Sequence, residues 1–109
     1  MQKKRNKKEL SDCHALRLVW HRSGPYWEAM HRAKKSPNQY ECEKCQKVFK
    51  LREVQVDHIY PVVDPTVGWE DMSKFAARLF CASTLLRVLC QDVCHKAITL
   101  EQNKVRRGY

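Results

Sequence analysis

A chain of 109 residues with 43% hydrophobic residues has room for one core, and a domain of this size buries only roughly 60–70% of its unfolded surface. Its 21 Lys and Arg against 12 Asp and Glu give a formal charge of +9, which points to a polyanionic partner; the plain alternative is a solvated surface that happens to be basic. No apolar run approaches the roughly 20 residues of a membrane span, and the start MQKKRNKKEL lacks the apolar centre of a signal peptide, so the expectation is no membrane and an intracellular, cytoplasmic location.

Residues 1–9 carry Lys3, Lys4, Arg5, Lys7 and Lys8 with almost nothing apolar, which predicts a mobile basic arm able to contact phosphates. Residues 10–39 read as a helical hairpin. Its first helix runs from Ser11 to about Arg22, with Cys13, Leu16, Val19 and Trp20 at helical spacing and Ser11 or Asp12 as cap. Gly24-Pro25 breaks it, and Pro25 opens a second helix through Trp27, Met30 and Ala33 that ends before Pro37. Arg17, His21, Arg22, His31, Arg32, Lys34 and Lys35 decorate the hairpin, as a nucleic-acid face or as ordinary solvated surface.

From Tyr40 the character changes, and residues 40–109 read as the second part of the molecule. Cys42-Glu43-Lys44-Cys45 forms a tight metal-binding turn, followed by a short strand or turn over Lys47–Lys50. Glu53–His58 alternates polar and apolar residues, the pattern of a half-buried strand with Val54 and Val56 inward, ended by Pro61. Strict alternation sends Asp57 and His58 to opposite faces, so they share a site only if the strand twists or stops there, or if the site sits at its edge. A helix over residues 69–80 follows, with Trp69, Met72, Phe75, Ala76, Leu79 and Phe80 on one stripe that reads as core packing. Leu85–Leu89, apolar except for Arg87, suits a strand paired with the first, and Cys94-His95 opens a last helix to about Lys104.

Six cysteines allow three disulfides, but four of them form the close pairs Cys42/Cys45 and Cys90/Cys94, and no signal peptide precedes them. Two close pairs of thiolates supply the four ligands of a structural Zn²⁺, one pair from each of two distant segments. Cys13 and Cys81 lie in amphipathic stretches and read as buried small residues. Closing the zinc site brings Asp57-His58 towards His95, where they can share a second, catalytic divalent ion.

With these residues in view, the chain resembles the HNH endonucleases of the ββα-metal group, and within it the small phage-encoded HNH proteins. The combination is C-x-x-C, then V-D-H-I-x-P, then L-C and C-H, over roughly residues 40 to 103. The resemblance implies an α+β fold with a zinc-stapled ββα-metal core, an N-terminal helical hairpin and an inserted helix. It implies metal-dependent hydrolysis of double-stranded DNA, by nicking or double-strand cleavage, in a protein encoded by a phage or mobile element and able to work with partner proteins. His58 would be the general base, Asp57 and His95 the ligands of Mg²⁺ or a similar ion, and Cys42, Cys45, Cys90 and Cys94 the ligands of zinc.

Three positions depart from the family pattern. The Asn behind the middle letter of HNH aligns with Leu85, for which Thr84 or Ser83 would have to substitute. The second cysteine pair is C-x-x-x-C where C-x-x-C is usual, and the Lys expected three residues after the metal-binding His is Ile98. Such changes are compatible with a slow nuclease or with a degenerate HNH domain that only binds nucleic acid, since a lost supporting partner typically costs about 10–100-fold in affinity or activity. A zinc-ribbon-like protein-interaction module is the third reading, and it leaves Asp57-His58 without a purpose.

Overall fold

The computed structural model describes residues 3–107, with side chains described as far as Val105; residues 1–2 and 108–109, the outer ends of two segments delimited above, lie outside the described residues. The chain folds as an α+β domain. Helix α1 (Lys7–Trp20) starts earlier than the Ser11 or Asp12 cap predicts, because Asn6 and Glu9 form a reciprocal capping box: the Asn6 side chain accepts from the Glu9 amide at 2.8 Å, and Glu9 accepts from the Asn6 amide at 3.0 Å. The basic arm expected over residues 1–9 is therefore helical from Lys7. The preceding residues are engaged as well: Lys3 Nζ donates to the Glu70 carbonyl at 3.4 Å, and the Arg5 guanidinium lies 5.5 Å from the centre of the Trp69 ring. Helix α2 (Gly24–Ala33) follows as predicted, with Pro25 in its first turn, where a missing N–H costs nothing.

Two small antiparallel sheets complete the architecture. Strands β1 (Lys34–Ser36), β2 (Gln39–Glu41) and β3 (Val48–Phe49) form the first, of which only the third was expected as a strand. Strands β4 (Val54–His58) and β5 (Leu86–Cys90) form the second, in a register that sets Asp57 opposite Arg87 and His58 opposite Leu86. Between them lies α3 (Met72–Leu79), shorter than predicted because Asp71 caps it by accepting from the Lys74 amide. Trp69 precedes this helix yet remains buried in the core. The loop before α3 turns through Gly68, whose φ of 83° is a backbone conformation that favours glycine.

After β5, a wide helical turn over Gln91–His95 leads into α4 (Lys96–Arg107). The order strand, helix, strand, helix around Asp57 and His95 is thus the order the sequence predicts. One apolar cluster joins Trp20, Met30, Val56, Phe75, Leu79 and Leu86, so α1, α2 and α3 pack around the β4–β5 pair. A second cluster gathers Cys42, Leu89, Cys90 and Cys94, with Cys45, Phe49 and Ile98 against it. No helix among the described residues is long and apolar enough to cross a membrane.

Candidate metal centre and active site

Cys42 and Cys45 come from the turn between β2 and β3, which is closed by the Gln46 amide donating to the Cys42 carbonyl at 2.8 Å. Cys90 ends β5, and Cys94 lies in the turn that follows. The four sulfurs all lie within 4.8 Å of one another, and none is in a disulfide. A tetrahedral ion with Zn–S bonds of about 2.3 Å places its sulfurs about 3.8 Å apart, so the donor set and its size suit a metal ion such as zinc. The electrostatics agree. Burial raises the Cys42 pKa, but hydrogen bonds from the backbones of Cys45, Cys90 and Lys44 outweigh it and bring the thiol down to about 6. Burial, followed by the crowding of the other three thiols, pushes Cys94 up to about 12. Cys42 thus ionises readily, while Cys94 would need a cation beside it to do so.

The C-x-x-x-C spacing finds its explanation here. The turn over Gln91–His95 is a π-helical turn, one residue wider than an α-helical one, and it absorbs the extra residue between Cys90 and Cys94. The Cys94 amide still donates to Cys90 Sγ at 3.4 Å, and His95 emerges directly beside the cluster. Ile98 packs against the same cysteines, so the position where the family pattern has Lys serves here as apolar cover for the four-cysteine cluster.

His95 Nε2 lies 3.9 Å from Asp57 Oδ1, with both side chains partly exposed. The other Asp57 oxygen accepts from Arg87 Nε and the guanidinium nitrogen at 3.3 and 3.2 Å, because the register makes Arg87 its cross-strand partner. One Asp57 oxygen thus faces His95 while Arg87 holds the other. A carboxylate and an imidazole this close, open to solvent, suit a hard divalent ion that keeps most of its other positions for water or substrate.

His58 is buried, with 7% exposure, on the inner side of the alternating strand. Its Nε2 sits 2.9 Å from the Leu79 carbonyl, and its ring lies against Trp20 at 4.6 Å between centroids. A carbonyl only accepts, so Nε2 carries the hydrogen and Nδ1 keeps the lone pair. Burial lowers the His58 pKa below its ordinary value, with a further push from Arg17; the Leu79 carbonyl and Asp57 oppose this only in part. The alternation sends Asp57 and His58 to opposite sides, yet both line one recess of about 260 Å³ with Arg5, Arg17, Pro61, Val62, Val63 and Gln102. The strand ends at His58, and the recess lies at that end.

Leu85, where the family pattern has Asn, is exposed in the turn before β5, and its carbonyl accepts from the Ile59 amide at 3.0 Å. Backbone carbonyls of Leu79 and Leu85 hold the end of β4 through the His58 ring and the Ile59 amide. The other basic residues divide. Arg32 donates to the carbonyls of Ser83 at 3.2 Å and Leu86 at 2.7 Å and pairs with Glu43 at 3.3 Å, so it braces the fold. Lys35 pairs with Glu41 at 3.4 Å and Lys8 with Asp12 at 3.7 Å. Lys4, Lys7, Arg22 and Lys34 are exposed.

Two residues of the site were not read from the sequence as such. Arg87 stood out as the single charge in an apolar strand, and its pairing with Asp57 follows once the register is known. Trp20 sat in a helical apolar stripe with nothing to mark it as the ring packed on His58.

Comparison with protein-family models, with curated proteins and with solved structures gave no match. The class that fold and site define is therefore an α+β domain with a four-cysteine centre able to hold a metal ion.

Proposed function

We propose that this protein is a metal-dependent endonuclease of the HNH type, acting on double-stranded DNA inside the cell, with zinc at the four cysteines. The observation that supports it most is the shared recess: His58, with Nδ1 unprotonated, and Asp57, whose free oxygen is 3.9 Å from His95, meet at the end of one strand. His58 accepts the proton of a water molecule at Nδ1, while the Leu79 carbonyl fixes the ring and Trp20 shields one face of it. Asp57 and His95 would hold a divalent ion such as Mg²⁺, which when bound supplies positive charge against the negative charge developing on the phosphate. The zinc site sets where His95 stands, because Cys94 is its immediate neighbour.

A second reading, a degenerate HNH domain that binds nucleic acid without cutting it, draws on Arg87. Its guanidinium occupies one Asp57 oxygen, where it competes with a metal, and an exposed Leu85 stands where the family pattern has Asn.

Incubation of zinc-loaded protein with supercoiled plasmid and Mg²⁺, Mn²⁺ or Ni²⁺ separates the two. Nicking or linearisation by the wild type, with loss of at least about 100-fold in His58→Ala and unchanged DNA binding, is the expected outcome. Equal cleavage by His58→Ala would remove the assigned base. Salt-sensitive binding with no cleavage in any metal would leave the second reading.

A further inference from the structure

The recess beside His58 is flanked by two arginines that the proposed chemistry does not use. Arg5 comes from the extended residues before α1 and Arg17 from the third turn of α1, so they reach the recess from separate parts of the chain. Each is placed by an aromatic ring: the Arg5 guanidinium carbon lies 5.5 Å from the centre of Trp69, and that of Arg17 lies 5.4 Å from the centre of Phe75. Those two rings are themselves neighbours, 5.8 Å apart between centroids. Neither guanidinium forms a salt bridge among the described residues, although carboxylates at Glu9 and Asp57 are nearby.

Two like charges are thus brought together on one aromatic platform; the Glu9 carboxylate acts on Arg5 only at longer range, its own oxygens accepting from the Asn6 amide and the Trp69 indole. Partial desolvation, and then the Arg5 charge, lower the Arg17 pKa below its ordinary value, and an anion between the two would relieve that repulsion. The Asp57 carboxylate also lines the recess, but Arg87 already neutralises it at 3.2 Å. Two arginines against one carboxylate that is already paired leave a balance around the recess that favours an anion, and its roughly 260 Å³ admits a phosphate with part of its sugars.

We propose that Arg5 and Arg17 form a phosphate-binding clamp that seats a phosphodiester of the nucleic acid against His58. This deepens the nuclease reading and rests on it for the identity of the ligand. Planar guanidinium forks suit phosphate oxygens through paired hydrogen bonds, a geometry that Lys does not reproduce. The clamp also assigns a use to the N-terminal basic segment that is more definite than a general attraction to DNA: Arg5 belongs to the site itself.

The test uses the zinc-loaded full chain, ¹⁵N-labelled, titrated with inorganic phosphate without added divalent ion and read at the arginine Nε–Hε resonances. The Arg5 and Arg17 signals should shift and saturate together, with Arg52, an exposed arginine that lines a separate hollow with Asn38, Lys50 and Leu51, unmoved. Arg5→Gln and Arg17→Gln should each weaken phosphate binding by about tenfold, the equivalent of one charge-assisted hydrogen bond, and Arg52→Gln should not. A short DNA duplex should displace the phosphate, which distinguishes a polymer site from one for the free anion. Because Arg5 precedes the helix, its variant retains a test even where Arg17→Gln fails to fold.

Phosphate affinity unchanged in Arg5→Gln, or shifts at Arg52 as large as those at Arg5 and Arg17, would overturn the clamp. Phosphate that the duplex cannot displace would overturn its assignment to nucleic acid. Cleavage with an unaltered KM in both Gln variants would overturn the clamp and keep the nuclease. Specific phosphate binding at both arginines, without cleavage in any metal, would keep the clamp and overturn the nuclease.

Discussion

His58 sits in contacts that favour its neutral form, and this has a consequence for stability as well as for proton transfer. Burial is the largest cause of its lowered pKa, and the Leu79 carbonyl only partly offsets it. In the unfolded chain a histidine titrates near ~6.5, so below that pH the unfolded state takes up a proton that the folded state resists. Stability referable to His58 is therefore fully present above about pH 6.5 and is lost as pH falls towards the lower folded value. The thermal midpoint of zinc-loaded protein should fall between pH 7.5 and 5.5 by more in the wild type than in His58→Gln, whose side chain does not titrate. Parallel pH profiles for the two proteins would show that His58 is not held neutral by its surroundings. The same residue marks a limit of sequence reading. Alternation over Val54–His58 correctly buries His58 and turns Asp57 outward, but period-two logic has no term for where a strand stops, and the shared recess lies at that stop.

At the level of elements, α2 is tied to β5 by one side chain. Arg32 bonds the carbonyls of Ser83 and Leu86 and pairs with Glu43, whose carboxylate in turn accepts from the Val88 amide, so one arginine links helix, the turn over residues 42–45 and strand. Hydrogen bonds from a charged donor to backbone carbonyls contribute more than surface ion pairs do, and Arg32 remains partly exposed. Arg32→Ala should lower stability by about 1–2 kcal/mol, a drop of several degrees in the melting temperature of the zinc-loaded protein. An unchanged melting temperature with weakened DNA binding would instead return Arg32 to the nucleic-acid face where its sequence context put it. The sequence could not separate these roles, because a helix-surface arginine looks the same whether it faces solvent or a carbonyl from a distant turn. Elements with strong local signals were legible: Pro25 at the start of α2, the alternating β4, and the apolar β5 with its single charge. The sheet of β1, β2 and β3 was mostly missed, since its strands have two or three residues and no periodicity to show. The early start of α1 was missed for a different reason: a capping box at Asn6 and Glu9 prevailed over the weaker signal of basic residues unable to pack.

For the whole molecule, the second apolar cluster is small and is built around the thiols themselves. Cys42, Cys90 and Cys94 are buried in it, and among the described residues Leu89, Phe49 and Ile98 add its apolar bulk. Without a cation, this part would have to keep four sulfurs close together while burial and the crowding of the other thiols oppose the ionisation of Cys94. Structural zinc contributes an apparent ~10–16 kcal/mol of binding free energy in small metal domains, comparable with the ~5–15 kcal/mol by which a whole domain is stable. Removing it should therefore release the segment from Cys42 to Phe49 and the turn leading into α4, and with them the placement of His95 beside Asp57. The larger cluster around Trp20, Phe75 and Leu86 does not use the cysteines of the metal site, so loss of metal should be felt first at the metal-binding turn and α4. Amide exchange should report this: after chelation, or in Cys42→Ser, residues 42–49 and 90–104 should lose protection before α1 and α3 do, with a large fall in melting temperature. Purified protein that carries no zinc and keeps both its melting temperature and its protection in strong chelator would show that the four cysteines hold the fold together by packing alone.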